Sequence, residues 1–239
     1  MTSPDEQQKP FEFAVPEDYE QRIEDARGAL DVVPRDENWE NAQRVLADPP
    51  SREAIEAAQR EAAKAMAMLA EFQQARHTGY DPDQTTKVVV DAGGLLTELE
   101  FGVDAVRLGN HGLAAAIGFA WAEAEHARAE SGSAFAERGR GLGGDAAAAA
   151  AEQVMREIET AVAAREYERF EHSTEDGLCR LAVNLRGQLT EVVFLQNNVL
   201  NLTDRHTLAE QLTAAAAAAQ SAASAAVGEI SAEHYAKLG

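Results

Sequence analysis

The apolar positions change period several times along the chain, and the changes mark its elements. Between residues 52 and 74, Ile55, Ala58, Ala62, Ala65, Leu69 and Phe72 fall three or four apart, flanked by Arg60, Glu61, Lys64 and Glu71. That spacing predicts an amphipathic helix with a narrow apolar stripe. Pro49-Pro50-Ser51 supplies a stop and an N-cap before it. Val88 and Val90 then share one face of a short β-branched strand, as Leu181 and Val183 do later. Gly93-Gly94 and Arg186-Gly187 sit where each strand must reverse into a hairpin, and glycine permits the positive φ of such turns. Met155, Ile158 and Val162 repeat the helical spacing and carry it towards Tyr167 and Phe170. A last helix is expected from about Arg205 to Val227, capped by Thr203 or Asp204, and from Thr213 to Ala226 it is almost all alanine and small polar residues. Such a helix is either exposed or packed very closely on another backbone. Tyr19, Ile23, Ala26 and Leu30 predict one helix in the first fifty residues, and Trp39, Val45 and Leu46 a second.

These elements occur twice. Leu96-Thr97-Glu98-Leu99-Glu100-Phe101 matches Leu189-Thr190-Glu191-Val192-Val193-Phe194 at an offset of 93 residues, and at the same offset Lys87 to Asp91 lies on Arg180 to Asn184 and Gly94 on Gly187. With a two-residue insertion, Leu113-Ala114-Ala115 lies on Leu208-Ala209-Glu210. The order of segments on both sides marks a duplication. Each copy reads helix, strand, turn, strand, helix. The expected organisation is a helical N-terminal extension over 1–50, a first repeat over 51–131, a Gly-rich linker over 132–145 and a second repeat over 146–239. The expected fold class is α+β. A lone two- or three-stranded sheet with one helix layer leaves an apolar face that a second copy covers.

Charge narrows the partners. The 239 residues carry 21 Lys and Arg against 41 Asp and Glu, a net charge of −20. The acidity is spread at −8 over residues 1–50, −6 over 51–131 and −6 over 132–239. No region is basic, which argues against a chain that coats itself in nucleic acid or anionic lipid. The single cysteine, Cys179, excludes an intramolecular disulfide framework. Residues 1–10 have no basic stretch leading into an apolar one, and no segment approaches the ~18 apolar residues of a membrane span. The expected compartment is the cytoplasm.

The stretch Gly177-Leu178-Cys179-Arg180-Leu181-Ala182-Val183-Asn184-Leu185-Arg186-Gly187-Gln188-Leu189-Thr190-Glu191-Val192-Val193-Phe194 resembles the signature of the YbaB/EbfC family. That signature is a glycine, an alternating basic and β-branched strand, a Gly-centred turn and a second alternating strand, set between a long amphipathic helix and an Ala-rich helix. The resemblance covers about residues 146–230 well and 52–131 more loosely, with Gln84 in place of the leading glycine and Asp91 in place of Asn184. It implies small, non-enzymatic, nucleoid-associated proteins that dimerise and bind DNA, with helices projecting like tweezer arms. Dimers of that family pair the strands of two subunits, so a tandem copy implies a covalent pseudo-dimer whose two helix-flanked hairpins form one shared antiparallel sheet, present as a monomer or as a homodimer of pseudo-dimers, located in the nucleoid if it binds DNA. Family members encoded with type VII secretion systems offer a precedent for cytoplasmic protein partners.

DNA binding needs cations that meet phosphates. The helix from Gly112 to Ser131 offers only Arg128 against Glu123, Glu125 and Glu130, and its counterpart has only Arg205 at its start. The DNA-binding candidates are therefore Arg138 and Arg140 in the linker and Arg156, Arg165 and Arg169 on the second long helix, interleaved with Glu152, Glu157, Glu159, Glu166 and Glu168. Glu123 and His126 stand three apart as in a di-metal carboxylate site, but no second Glu-x-x-His occurs in the chain, so a solvated helix face is expected and no metal. Gly139-Arg140-Gly141-Leu142-Gly143-Gly144 does not follow a strand, as a dinucleotide loop must, and reads as linker. Cys179, among apolar neighbours, reads as a small buried hydrophobe. No nucleophile, base and oxyanion donor combine, so neither catalysis nor a cofactor is expected. Two functions follow. One is double-stranded DNA binding, as the resemblance implies. The other is an acidic protein-interaction module that offers its Ala-rich helices to partner helices and does not bind DNA.

Overall fold

The computed structural model describes residues 15–30, 37–139 and 156–236. The chain divides after Leu69 into two units. In the first, α1 (Tyr19–Leu30) packs on α2 (Glu37–Ala47). The Trp39 indole N–H donates to the Leu30 carbonyl at 2.9 Å, and Arg27 donates to the Leu46 carbonyl at 2.9 Å, so each helix satisfies carbonyls at the other's end. The third helix, α3 (Arg52–Gln74), starts here, with the Ser51 hydroxyl accepting the Ala54 N–H at 3.2 Å as its N-cap. Arg52 donates to the Pro16 and Glu17 carbonyls and both Glu20 carboxylate oxygens. No residue of α3 is buried, so its apolar stripe is not a core element among the described residues.

The second unit holds α4 (Gly109–Gly139), α5 (residues 156–164), α6 (Arg205–Ala236) and six strands. They are β1 (Arg76–Tyr80), β2 (Thr86–Asp91), β3 (Leu96–Phe101), β4 (Arg169–Ser173), β5 (Cys179–Asn184) and β6 (Leu189–Phe194). The class is α+β, but two features differ from the sequence expectation. Each copy has three strands where a hairpin was expected, and the copies form two sheets, ordered β1-β2-β3 and β4-β5-β6, rather than one shared sheet. The extra strands, β1 and β4, follow directly on helical periodicity and are only five residues long, too short to impose a period of their own. The copies join through their helices rather than strand to strand. Thus α4 packs on β1 and β2 of its own sheet and on β6, while α6 packs on β4 and β5 and on β3.

The exchange of helices makes one core. Val88, Val90, Leu99, Phe101, Leu113, Ile117 and Trp121 from the first copy meet Leu181, Val183, Leu208, Leu212 and a run of α6 alanines. Residues of α4 and α6 correspond at an offset of 95, and burial follows the correspondence. Leu113 and Leu208, Ile117 and Leu212, Ala120 and Ala215, and Ala124 and Ala219 are all at most 3% exposed. The alanine run of α6 is therefore packed on one face. Asp204 caps α6, accepting the His206 and Thr207 N–H groups at 3.0 Å and the Thr207 hydroxyl at 2.6 Å. Those bonds, the Thr207 hydroxyl first, hold its carboxyl below the usual range. Helix α4 continues through Ser131-Gly132-Ser133 to Gly139, so the first part of the expected linker is helix.

Candidate functional site

The turns that close β2–β3 and β5–β6 are built alike. Asp91 Oδ1 accepts the Gly93 and Leu95 N–H groups, both at 2.9 Å, and Asn184 Oδ1 accepts those of Arg186 and Gln188 at 2.9 and 3.0 Å. Gly94 and Gly187 take φ of +85° and +76°, the left-handed backbone expected at these reversals. In both hairpins the register slips by one residue at the equivalent place, Val89/Val90 and Ala182/Val183.

The two turns are bridged by Gln220 of α6, which is 1% exposed. Its amide N–H groups donate to the Gly94 and Gly187 carbonyls, both at 2.9 Å, and its Oε1 accepts the Leu96 N–H at 3.0 Å. One side chain thus saturates its donors on both copies. Beside it lies a cleft of about 390 Å³ lined by Gly93, Leu95, Ile158, Val162, Leu185 and Val227 among others, with Arg186 donating to Glu159 at 3.5 Å on its rim. A lone amide in an alanine run was the sequence signal for Gln220.

The first copy gathers ionisable groups where the second does not. Glu125 of α4, whose side chain is 12% exposed, accepts from Arg128 Nε and Nη2 at 2.9 and 2.8 Å. His77 on β1 is 7% exposed, and its Nε2 is buried with no hydrogen-bond partner. Burial, and then the Arg128 charge, push its pKa down against the opposing pull of Glu125 and Asp91. The corresponding residues of the second copy are Gln220, Ala223, Phe170 and Asn184.

The candidate DNA contacts do not form one helical set. Arg156 is exposed on α5, but Arg165 lies in the turn after it and Arg169 on β4, because the helix stops at residue 164. Arg165 is held by both oxygens of Glu168 at 2.5 and 2.9 Å, and Arg169 by Glu191 at 2.6 Å. Arg138 is exposed in the last turn of α4 rather than in a linker. Arg140 lies outside the described residues. On the outer sheet faces, Arg180 meets Glu171 at 3.6 Å, and Lys87 meets Glu98 at 2.7 Å and Glu100 at 3.5 Å. Those cations are matched by carboxylates within the chain.

Trp121 packs in the core, whereas Glu123 and His126 are exposed, and no group of metal-ligating side chains occurs among the described residues. Cys179 is buried, its thiol pushed up to about 12 by burial first and by Asp176 second. A thiol at that value is protonated and unreactive at neutral pH. No described helix is long and apolar enough to cross a membrane.

The start of α4 meets the 3-10 turn Val199–Asn201 at one end of the second unit. The Asn110 amide donates to the Gln196 carbonyl at 2.5 Å, and its oxygen accepts the Val199 N–H at 3.0 Å. Around this junction Val103, Val106 and Leu202 are 69%, 56% and 59% exposed. Phe119 on α4 is also 59% exposed. No protein-family model, curated protein or solved structure matches this chain.

Proposed function

We propose that this chain is a non-enzymatic, YbaB/EbfC-like pseudo-dimer that acts as a protein-interaction module rather than on DNA. The observation that supports this most is the pairing of cations with carboxylates: Lys87, Arg165, Arg169 and Arg180 each have a Glu partner within the chain. A phosphate would have to displace those partners, in a molecule of net charge −20. The apolar side chains left in water, Val103, Val106, Phe119 and Leu202, suit the core of a protein interface. The repeat architecture and the hairpin sequence carry the family part of the reading, and a cytoplasmic place goes with it.

The DNA reading retains Arg138 and Arg156, which have no carboxylate partner among the described residues. With Arg140, which lies outside the described residues, at most three of the five candidates remain, too few to give more than weak, non-specific binding at physiological salt. The test is fluorescence anisotropy of labelled duplex across a salt series. No saturable binding is expected at ~150 mM salt, where non-specific complexes have Kd of about 1 μM or weaker. Submicromolar binding with a steep salt slope, lost on Arg138→Ala and Arg156→Ala, would overturn the protein-interaction reading. In parallel, the tagged chain is to be purified from its own cells, and Val106→Lys with Phe119→Lys is expected to release a stoichiometric partner while leaving the far-UV spectrum unchanged.

A further inference from the structure

Gln220 and Glu125 occupy equivalent places on α6 and α4, yet they do different things. Gln220 crosses the seam to the Gly94 carbonyl and Leu96 N–H of the first copy and also holds Gly187 of its own. Glu125 approaches the same seam, since a Cβ on Gly94 would lie 3.1 Å from its Oε1, but it turns back to Arg128. The second copy has Ala223 where the first has Arg128, so a carboxylate at 220 would find no such partner. Only one residue of the pair is needed to satisfy both turns.

We propose that positions 125 and 220 form a pairing key, in which the interface between the halves accepts one amide and one carboxylate. Each half then takes the opposite half and rejects a second copy of itself. Two carboxylates leave the Gly94 and Gly187 carbonyls facing acceptor oxygens, with like charges across a buried seam. Two amides compete for one pair of carbonyls and strand a buried polar group. One of each leaves every group satisfied. The key makes the intrachain pseudo-dimer the preferred assembly, and it operates whichever partner the outer surface binds.

The test uses the full chain. Gln220→Glu is expected to lower the unfolding midpoint at pH 7.5 by about 10 °C, the effect of an unpaired buried charge in a unit of this size. At pH 5 part of that loss returns, because a protonated carboxyl regains one donor. The reciprocal variant, Glu125→Gln with Gln220→Glu, is expected to recover a measurable part of the loss at pH 7.5, less than half of it, since the amide introduced on α4 then reaches both turns from the other side while the carboxylate at 220 still has no arginine to pair with. A reciprocal variant no more stable than Gln220→Glu would overturn the proposal. If Gln220→Glu does not fold alone, it is refolded together with differently tagged Glu125→Gln. The two mismatched chains are complementary, so mixed dimers are expected several-fold above those of either variant refolded alone. An equal yield would overturn the key.

Discussion

In the first half of the second unit, β1 lies so close to α4 that a Cβ on Gly79 would sit 2.1 Å from the Ala120 carbonyl oxygen. In the second half the equivalent residue is His172, which is exposed. The difference runs through both sheets. Leu96, Leu99 and Phe101 are at most 7% exposed, whereas their counterparts Leu189, Val192 and Phe194 are only half-buried. One backbone plan thus supports a tight half and a looser one. The tight half carries a partly buried charged pair and a buried histidine, and the loose half contributes the amide that joins the two.

The largest way to break the comparison is to remove the close approach on one side only. Gly79→Ala drives a methyl into the α4 backbone, which cannot yield as a side chain can, so about 4 kcal/mol of stability should be lost. His172→Ala, at the exposed equivalent, should change stability by less than about 0.5 kcal/mol. Urea unfolding of both variants measures the pair. Equal losses would mean that β4 and β1 are held alike, contrary to the burial seen here.

A second substitution asks the same question with matched chemistry. Leu96→Ala removes a side chain that is 5% exposed and should cost about 3 kcal/mol, whereas Leu189→Ala, half-buried, should cost about half as much. The ratio sharpens the comparison because the deleted atoms are identical.

How much of this was legible beforehand depends on how local the signal is. The helix spacing, the caps at Ser51 and Asp204 and the Gly94 and Gly187 turns are written in a few adjacent residues, and the structure has them. The strands β1 and β4 were not legible. In Arg76-His77-Thr78-Gly79-Tyr80 the core face carries a histidine and a glycine, so there is no apolar alternation to read. Separate sheets were also beyond sequence reasoning, because the exchange of α4 and α6 over each other's edge strands is a long-range choice. The arginine candidates illustrate the same limit. Arg165 and Arg169 are cations in composition, but Glu168 is three residues away and Glu191 on another strand, and only the fold shows that both are occupied. Gln220 stood alone among small residues and could have been flagged. His77 could not, since its burial comes from α4.

The smallest effect concerns His77, and it separates the two halves by pH rather than by packing. Because burial lowers its folded pKa below the unfolded value of about 6.5, the unfolded chain binds a proton that the folded chain resists. The stability that depends on a neutral His77 is complete above about pH 6.5 and is lost as pH falls from there towards the folded pKa. Protonation would place a second cation beside Arg128, with Glu125 already bound to that arginine and Asp91 bonded to its turn. His77→Phe, which installs the residue of the second copy, should remove this part of the acid loss. Urea midpoints of the parent and variant, compared from pH 7.5 to pH 5, measure the difference. The parent is expected to fall more steeply between pH 6.5 and pH 5, and parallel curves would show that the histidine is charged as readily in the folded chain as in the unfolded one.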